Sequence, residues 1–121
     1  MENNIRLSKI RCVIKEFSSR EFQERVWLNG LGPEVSSYEE AMCKLFDDYG
    51  FARLIDVEWR RVGLNEPHLV KLREFRDKLL EFDKDIPETP KPGDVLGRAA
   101  WADVCEYALK AEQALGDYTV V

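Results

Sequence analysis

The chain has 121 residues, 45% apolar and 34% charged, with 18 basic side chains against 23 acidic ones for a formal net charge of −5. That length suits one core that folds without disulfides or metals, and the composition excludes a disordered tail. The acidic balance argues against non-specific nucleic-acid binding, which depends on Lys and Arg neutralising phosphates. No run approaches the ~18 apolar residues of a membrane span. The charged start MENNIRLSKIRC has no apolar stretch of the export type, so a cytoplasmic protein is expected.

Residues 4–17 place Leu7, Ile10, Val13, Ile14 and Phe17 at helical spacing. Ser18 and Glu21 form a capping-box pattern that predicts a second helix from about residue 19. It carries Phe22, Val26 and Trp27 and stops at Gly30-Leu31-Gly32-Pro33. Ser36/Glu39 and Ser37/Glu40 offer two overlapping capping boxes for a third helix. Its apolar face is Tyr38, Ala41, Met42, Leu45 and Phe46, and Gly50 ends it.

Residues 51–62 read either as a helix or, through Leu-Ile-Asp-Val, as a short strand. Asn65, Glu66 and Pro67 open a helix from 66 to about 83, striped by Leu69, Leu72, Phe75, Leu79 and Phe82. Pro87, Pro90 and Pro92 make 84–97 a loop. A last helix, about 98–115, carries Trp101, Val104, Cys105, Ala108 and Leu115, and Gly116 closes it. The expected fold is all-α, a single compact domain over 1–121 with five or six helices.

The residues of common catalytic sites are sparse. Cys12, Cys43 and Cys105 have no CxxC or metal-ligand spacing, so reduced and mostly buried thiols are expected. His68 is the only histidine, which excludes an HExxH motif and a His-type zinc site. There is no Walker loop, GxGxxG or GxSxG. No catalytic residue, metal or cofactor is implied, and an enzyme is the least favoured class. Trp27 and Trp101 lie on apolar stripes and are expected to anchor the core.

Charge is unevenly spread. Residues 26–58 hold seven acids against two bases, whereas 59–80 hold six bases against three acids. Such alternation commonly pairs helix faces with one another, yet seven acids on one side would set up a real negative potential. The candidate partner-binding residues are Glu39, Glu40, Asp47, Asp48 and Tyr49, a carboxylate-rich helix ending in an aromatic ring. Acids in a last helical turn oppose the helix dipole at about 0.3–1 kcal/mol each, so Asp47 and Asp48 need a compensating role. Two remain open: pairing with Arg53, Arg60 or loop N–H groups, or contact with a cationic partner. The acidic Pro-rich loop (Asp83, Asp85, Glu88, Asp94) is the next candidate surface. A DNA-recognition role for the basic helix is the rival binding reading.

Three stretches carry a resemblance: EFQERVWLNG at 21–30, SYEEAMCKLFDDYG at 37–50 and GRAAWADVCEYALKA at 97–111. A Gln-x-x-x-Trp stretch, an aspartate pair closing a helix and a late Ala-Trp-x-x-Val helix mark a group of small bacterial helical proteins. The group is similar to immunity proteins of polymorphic and contact-dependent toxin systems. The matching positions are Gln23, Trp27, Asp47, Asp48, Trp101 and Val104; residues 51–63 and 84–97 depart from the pattern. The resemblance implies a cytoplasmic protein that binds and neutralises a cognate toxin domain. A nuclease with a cationic cleft fits an acidic inhibitor best. A helical regulatory or adaptor protein, binding another protein or DNA, is the alternative.

Overall fold

The computed structural model describes residues 2–118, and the side chains of 5–116. Among the described residues there are seven helices and no strand. Helix α1 spans Glu2–Ser18. Helix α2 begins over Arg20–Phe22 and widens into a π-helical turn over Gln23–Leu28. Helix α3 does the same, from Tyr38–Met42 into Cys43–Asp48. Helix α4 runs from Phe51–Arg53 into Leu54–Glu58, which settles residues 51–58 as helix rather than strand. Helices α5 (Glu66–Asp83), α6 (Pro92–Leu96) and α7 (Ala100–Tyr118) follow.

The all-α expectation holds, but the count is seven. The extra helix, α6, lies inside the segment read as a loop. Pro92 fits a first turn because its missing N–H would be unsatisfied there anyway. The Asp94 carboxylate accepts the Lys91 N–H at 2.9 Å, which closes that turn. Two further boundaries differ. Ser19, not Ser18, caps α2 by accepting the Phe22 N–H at 3.2 Å; the Ser18 hydroxyl instead donates to the Lys15 carbonyl. Gly116 does not close α7, which continues to Tyr118.

Helix α7 packs along both α1 and α5 and forms the axis of the fold. Leu7, Ile10, Ile14 and Phe17 of α1, the α5 stripe, and Trp101, Val104, Ala108 and Leu115 of α7 join one buried cluster. Trp101 is fully buried and Trp27 nearly so, as core anchors should be. Trp101 meets Phe82, Tyr38, Trp27 and Phe17 with ring centroids 5.0 to 6.2 Å apart. Tilted and edge-on pairs of this kind add about 0.5–1.5 kcal/mol beyond area burial.

The polar tips of these rings are all satisfied. Trp101 Nε1–H donates to Gln23 Oε1 at 2.8 Å, and Trp27 Nε1–H donates to Glu16 Oε2 at 2.8 Å. The Tyr38 hydroxyl donates to Asp83 at 2.6 Å. Gln23 is completely buried, and its Nε2 donates to the Glu16 and Phe17 carbonyls, each at 2.9 Å. Those carbonyls sit in the last turn of α1 and have no partner within the helix. One side chain therefore caps α1 from inside the core and holds the α7 tryptophan.

Candidate functional site

Helix α3 has two faces. Tyr38, Ala41 and Leu45 are buried, and Met42, Phe46 and Tyr49 pack partly buried against the core. Glu39, Glu40, Cys43, Lys44, Asp47 and Asp48 fall in the intervening positions; all are exposed except half-buried Lys44. The four candidate acids therefore share the outward side. Eight residues of helix separate Glu39 from Asp47, about 12 Å at 1.5 Å per residue. They form a row rather than a compact site.

The cap decides how the row begins. Ser37 is the N-cap and accepts the Glu40 N–H at 3.1 Å. Ser36, the rival, donates its hydroxyl to Glu16 instead. Glu39 and Glu40 then lie in the first turn, where the helix dipole favours acids. Asp47 and Asp48 lie in the last turn, where it does not.

The structural role expected for that aspartate pair is not found. Neither makes an ion pair or hydrogen bond among the described residues. Arg53 is held by Glu58 at 3.0 Å, and the Arg60 guanidinium lies 4.8 Å from the Trp59 ring centre. The dipole is offset by Arg6, which donates from Nε to the Tyr49 carbonyl at 2.9 Å and from Nη2 to the Gly50 carbonyl at 3.2 Å. Glu40 alone has a partner in the row, Lys44 at 3.7 Å. Glu39, Asp47 and Asp48 have no cationic side-chain partner among the described residues.

Tyr49 differs from the expectation too. Its ring is half-buried against the core and walls a separate groove beside Lys9, Cys12 and Val13 of α1. The acidic block is also narrower than the sequence suggests. Asp56 is clamped by Arg76 at 2.7 Å and Arg73 at 3.9 Å, and Glu58 receives Arg6, Arg53 and Arg61. The hydrogen bond from Arg6 is the main cause holding the Glu58 carboxyl below the usual range.

The second candidate surface converges on the first. A groove of about 330 Å³ separates α3 from the loop after α5. Glu39, Met42 and Cys43 wall one side, and Ile86, Pro87 and Glu88 the other. Its lining combines the acids Glu39, Asp83 and Glu88 with apolar Met42, Ile86, Pro87 and Pro90. Of the other loop acids, Asp83 is tied to Tyr38, and burial is the main cause pushing that phenol upward. Asp94 is spent on α6. Beside the start of α3, Leu31 and Val35 stand 59% and 84% exposed on the preceding loop. No periodic signal marks them, because they belong to no helical stripe.

The basic helix is largely occupied. Arg73 and Arg76 clamp Asp56, and Lys78 lies 5.5 Å from the Tyr107 ring centre. Within the basic segment Arg60, Arg61, Lys71, Arg73, Arg76 and Lys78, the α5 residue without an ion pair or ring contact among the described residues is Lys71, and Arg60 and Arg61 stay exposed on the turn before α5. The thiols depart from expectation: Cys12 and Cys43 are exposed and Cys105 is half-buried. Burial is the main cause raising the Cys105 thiol, which keeps it protonated and weakly nucleophilic. Among the described residues no group of three or more His, Cys, Asp or Glu is placed to hold a metal ion. No helix among them is long and apolar enough to cross a membrane.

No family model, curated protein or solved structure matches this chain. A functional reading therefore stands on the residues and their geometry.

Proposed function

We propose that this chain is a binding protein that acts by occupying a cationic protein surface, and that its partner is a toxin domain which it neutralises. The observation that carries the reading is the outward side of α3. Glu39, Asp47 and Asp48 lack compensating cations on a helix whose inner face is fully used by the core. Unpaired acids on a rigid element steer a basic partner and raise its association rate. The apolar part of the adjoining groove's lining, with exposed Leu31 and Val35 on the loop before α3, supplies surface that can be desolvated on contact. The choice of a toxin domain as partner rests on the sequence resemblance, four of whose six positions are core residues and two of which, Asp47 and Asp48, are exposed in the row.

The test uses the neighbouring reading frame. Its product's C-terminal domain is co-expressed with this chain and the pair is purified at low salt. The expected result is growth arrest by the domain alone, rescue by this chain, and a complex whose association rate falls with salt. Glu39→Lys, Asp47→Lys and Asp48→Lys should each slow association while leaving the fold intact. A neighbouring product that is harmless, or a complex indifferent to all three changes at both salt levels, sinks the reading.

A further inference from the structure

A second charged surface lies on α4 and the turn after it. Glu58 is a largely buried carboxylate that receives three arginines: Arg6 from α1, Arg53 at 3.0 Å and Arg61 at 3.3 Å. Each guanidinium carries five N–H groups, so one carboxylate cannot use them all. The Arg53 and Arg61 side chains remain 72% and 70% exposed. Arg60 is exposed and stacked on Trp59, without an ion pair among the described residues. Val57, 66% exposed near the end of α4, falls between Arg53 and the Arg60-Arg61 pair along the chain. This is a cationic surface with an apolar centre, fixed in place by Glu58, on a chain of net charge −5.

Matching acids stand close by and are not used. Asp47 and Asp48 end α3, and Arg6 spans from the Tyr49 carbonyl, the next residue, to Glu58 itself. Gly50, at φ +58, turns the chain between α3 and α4 in the left-handed region that other residues rarely adopt. After that turn neither aspartate meets Arg53, although it follows within six residues. The corner thus carries acids on one arm and arginines on the other, and the two sets do not neutralise each other. A two-fold axis beside the corner would set the aspartates of one copy against the arginines of a second and repeat the pairing by symmetry.

We propose that the α3–α4 corner is a self-association surface whose occupant is a second copy of this chain, joined through Asp47 and Asp48 against Arg53, Arg60 and Arg61 around Val57. The charge balance favours this occupant over nucleic acid, since a chain of net −5 repels a phosphate backbone, whereas a second copy brings the unpaired carboxylates of Asp47 and Asp48. Repulsion between two acidic copies makes the dimer weak and reversible. The inference does not depend on the toxin reading, and its test needs no partner.

The full chain is followed by sedimentation equilibrium at low and high salt. The expected result is a concentration-dependent dimer at low salt that dissociates when salt screens the pairs. Asp48→Arg alone and Arg53→Glu alone should each be monomeric. An equal mixture of the two should recover a heterodimer, because the reversed charges again face opposite partners. Arg60→Glu, at a residue without an ion pair, repeats the second arm if Arg53→Glu disturbs Glu58; circular dichroism confirms each fold. A wild type that stays monomeric at every concentration overturns the proposal. So does a dimer that persists in both single variants, or a monomer that instead binds duplex DNA in a mobility-shift assay.

Discussion

The junction of α1, α2 and α7 and the outward side of α3 treat polar groups in opposite ways. At the junction, Gln23 satisfies two helix-end carbonyls and one indole at once, and it is completely buried. On α3, Asp47 and Asp48 are exposed in the turn where the dipole opposes them and make no ion pair or hydrogen bond among the described residues. Burying an unpaired polar group costs about 1–3 kcal/mol, so the first region must be complete for the chain to fold. Exposed charges carry no such penalty, so the second is free to serve contacts outside the chain. The contrast also divides the positions the sequence reading singles out: Gln23, Trp27, Trp101 and Val104 are buried, and only the aspartate pair faces out.

The comparison breaks most visibly at Trp101. Trp101→Ala removes a fully buried ring that touches four others and should cost about 3–5 kcal/mol. Urea denaturation reads this as a large fall in midpoint, against a total stability of about 5–15 kcal/mol. A midpoint unchanged from wild type would remove the junction from its structural role.

Gln23→Leu sharpens the same point with little change in volume. It removes the acceptor of the Trp101 N–H and the amide donor to the Phe17 carbonyl, while the Glu16 carbonyl keeps the Ser19 N–H at 3.3 Å; a buried group left unsatisfied costs about 1–3 kcal/mol. A variant as stable as wild type in urea would mean that water or a shifted neighbour replaces the amide.

Tyr38 gives a pH signature. Burial first, and Asp83 second, raise its folded-state pKa above the ordinary value of 10.0. The unfolded chain therefore loses the tyrosine proton first as pH rises. The contribution is fully present below about pH 10 and is lost progressively above it. Melting temperature should fall through that alkaline window, and Tyr38→Phe should fall less steeply. Equal slopes would detach the effect from this residue.

The smallest effects belong to the exposed positions. Cys12→Ser, Cys43→Ser and Asp47→Lys should each change stability by no more than about 0.5 kcal/mol. Cys105→Ser, half-buried and 3.9 Å from the Gln23 amide, should cost more than either exposed thiol. A large loss at Cys43 would show that the outward side of α3 is built into the fold after all.

Periodicity made most of this fold legible. The stripes of α1, α5 and α7 name the core almost residue for residue, because helical spacing directly encodes which side is buried. What escaped depends on distant partners. Ser36 and Ser37 are equivalent as caps until Glu16 takes the Ser36 hydroxyl. Gly116 reads as a helix end, but α7 runs on through it to Tyr118, and the tip of the Arg11 side chain from α1 lies where a Cβ there would approach its Nη2 to 2.7 Å. Residue type alone puts Cys12 and Cys43 in the interior, yet both lie off the apolar stripes of their helices and are exposed. At the candidate site, the acids of α3 were readable as a pattern. The removal of Asp56 and Glu58 from the acidic block was not, because Arg6 and Arg76 arrive from remote segments.

Cys43 occupies the middle of the acidic row, one helical turn from Glu39 and one from Asp47, and its thiol is open to solvent. With Cys12→Ser in place, it becomes the one exposed thiol among the described residues. A maleimide fluorophore at this position would stand at the centre of the surface under discussion, where its emission and anisotropy respond to anything that settles there. The same adduct, if bulky, would shield the row. The molecule thus carries its own handle for reporting on this surface and for closing it.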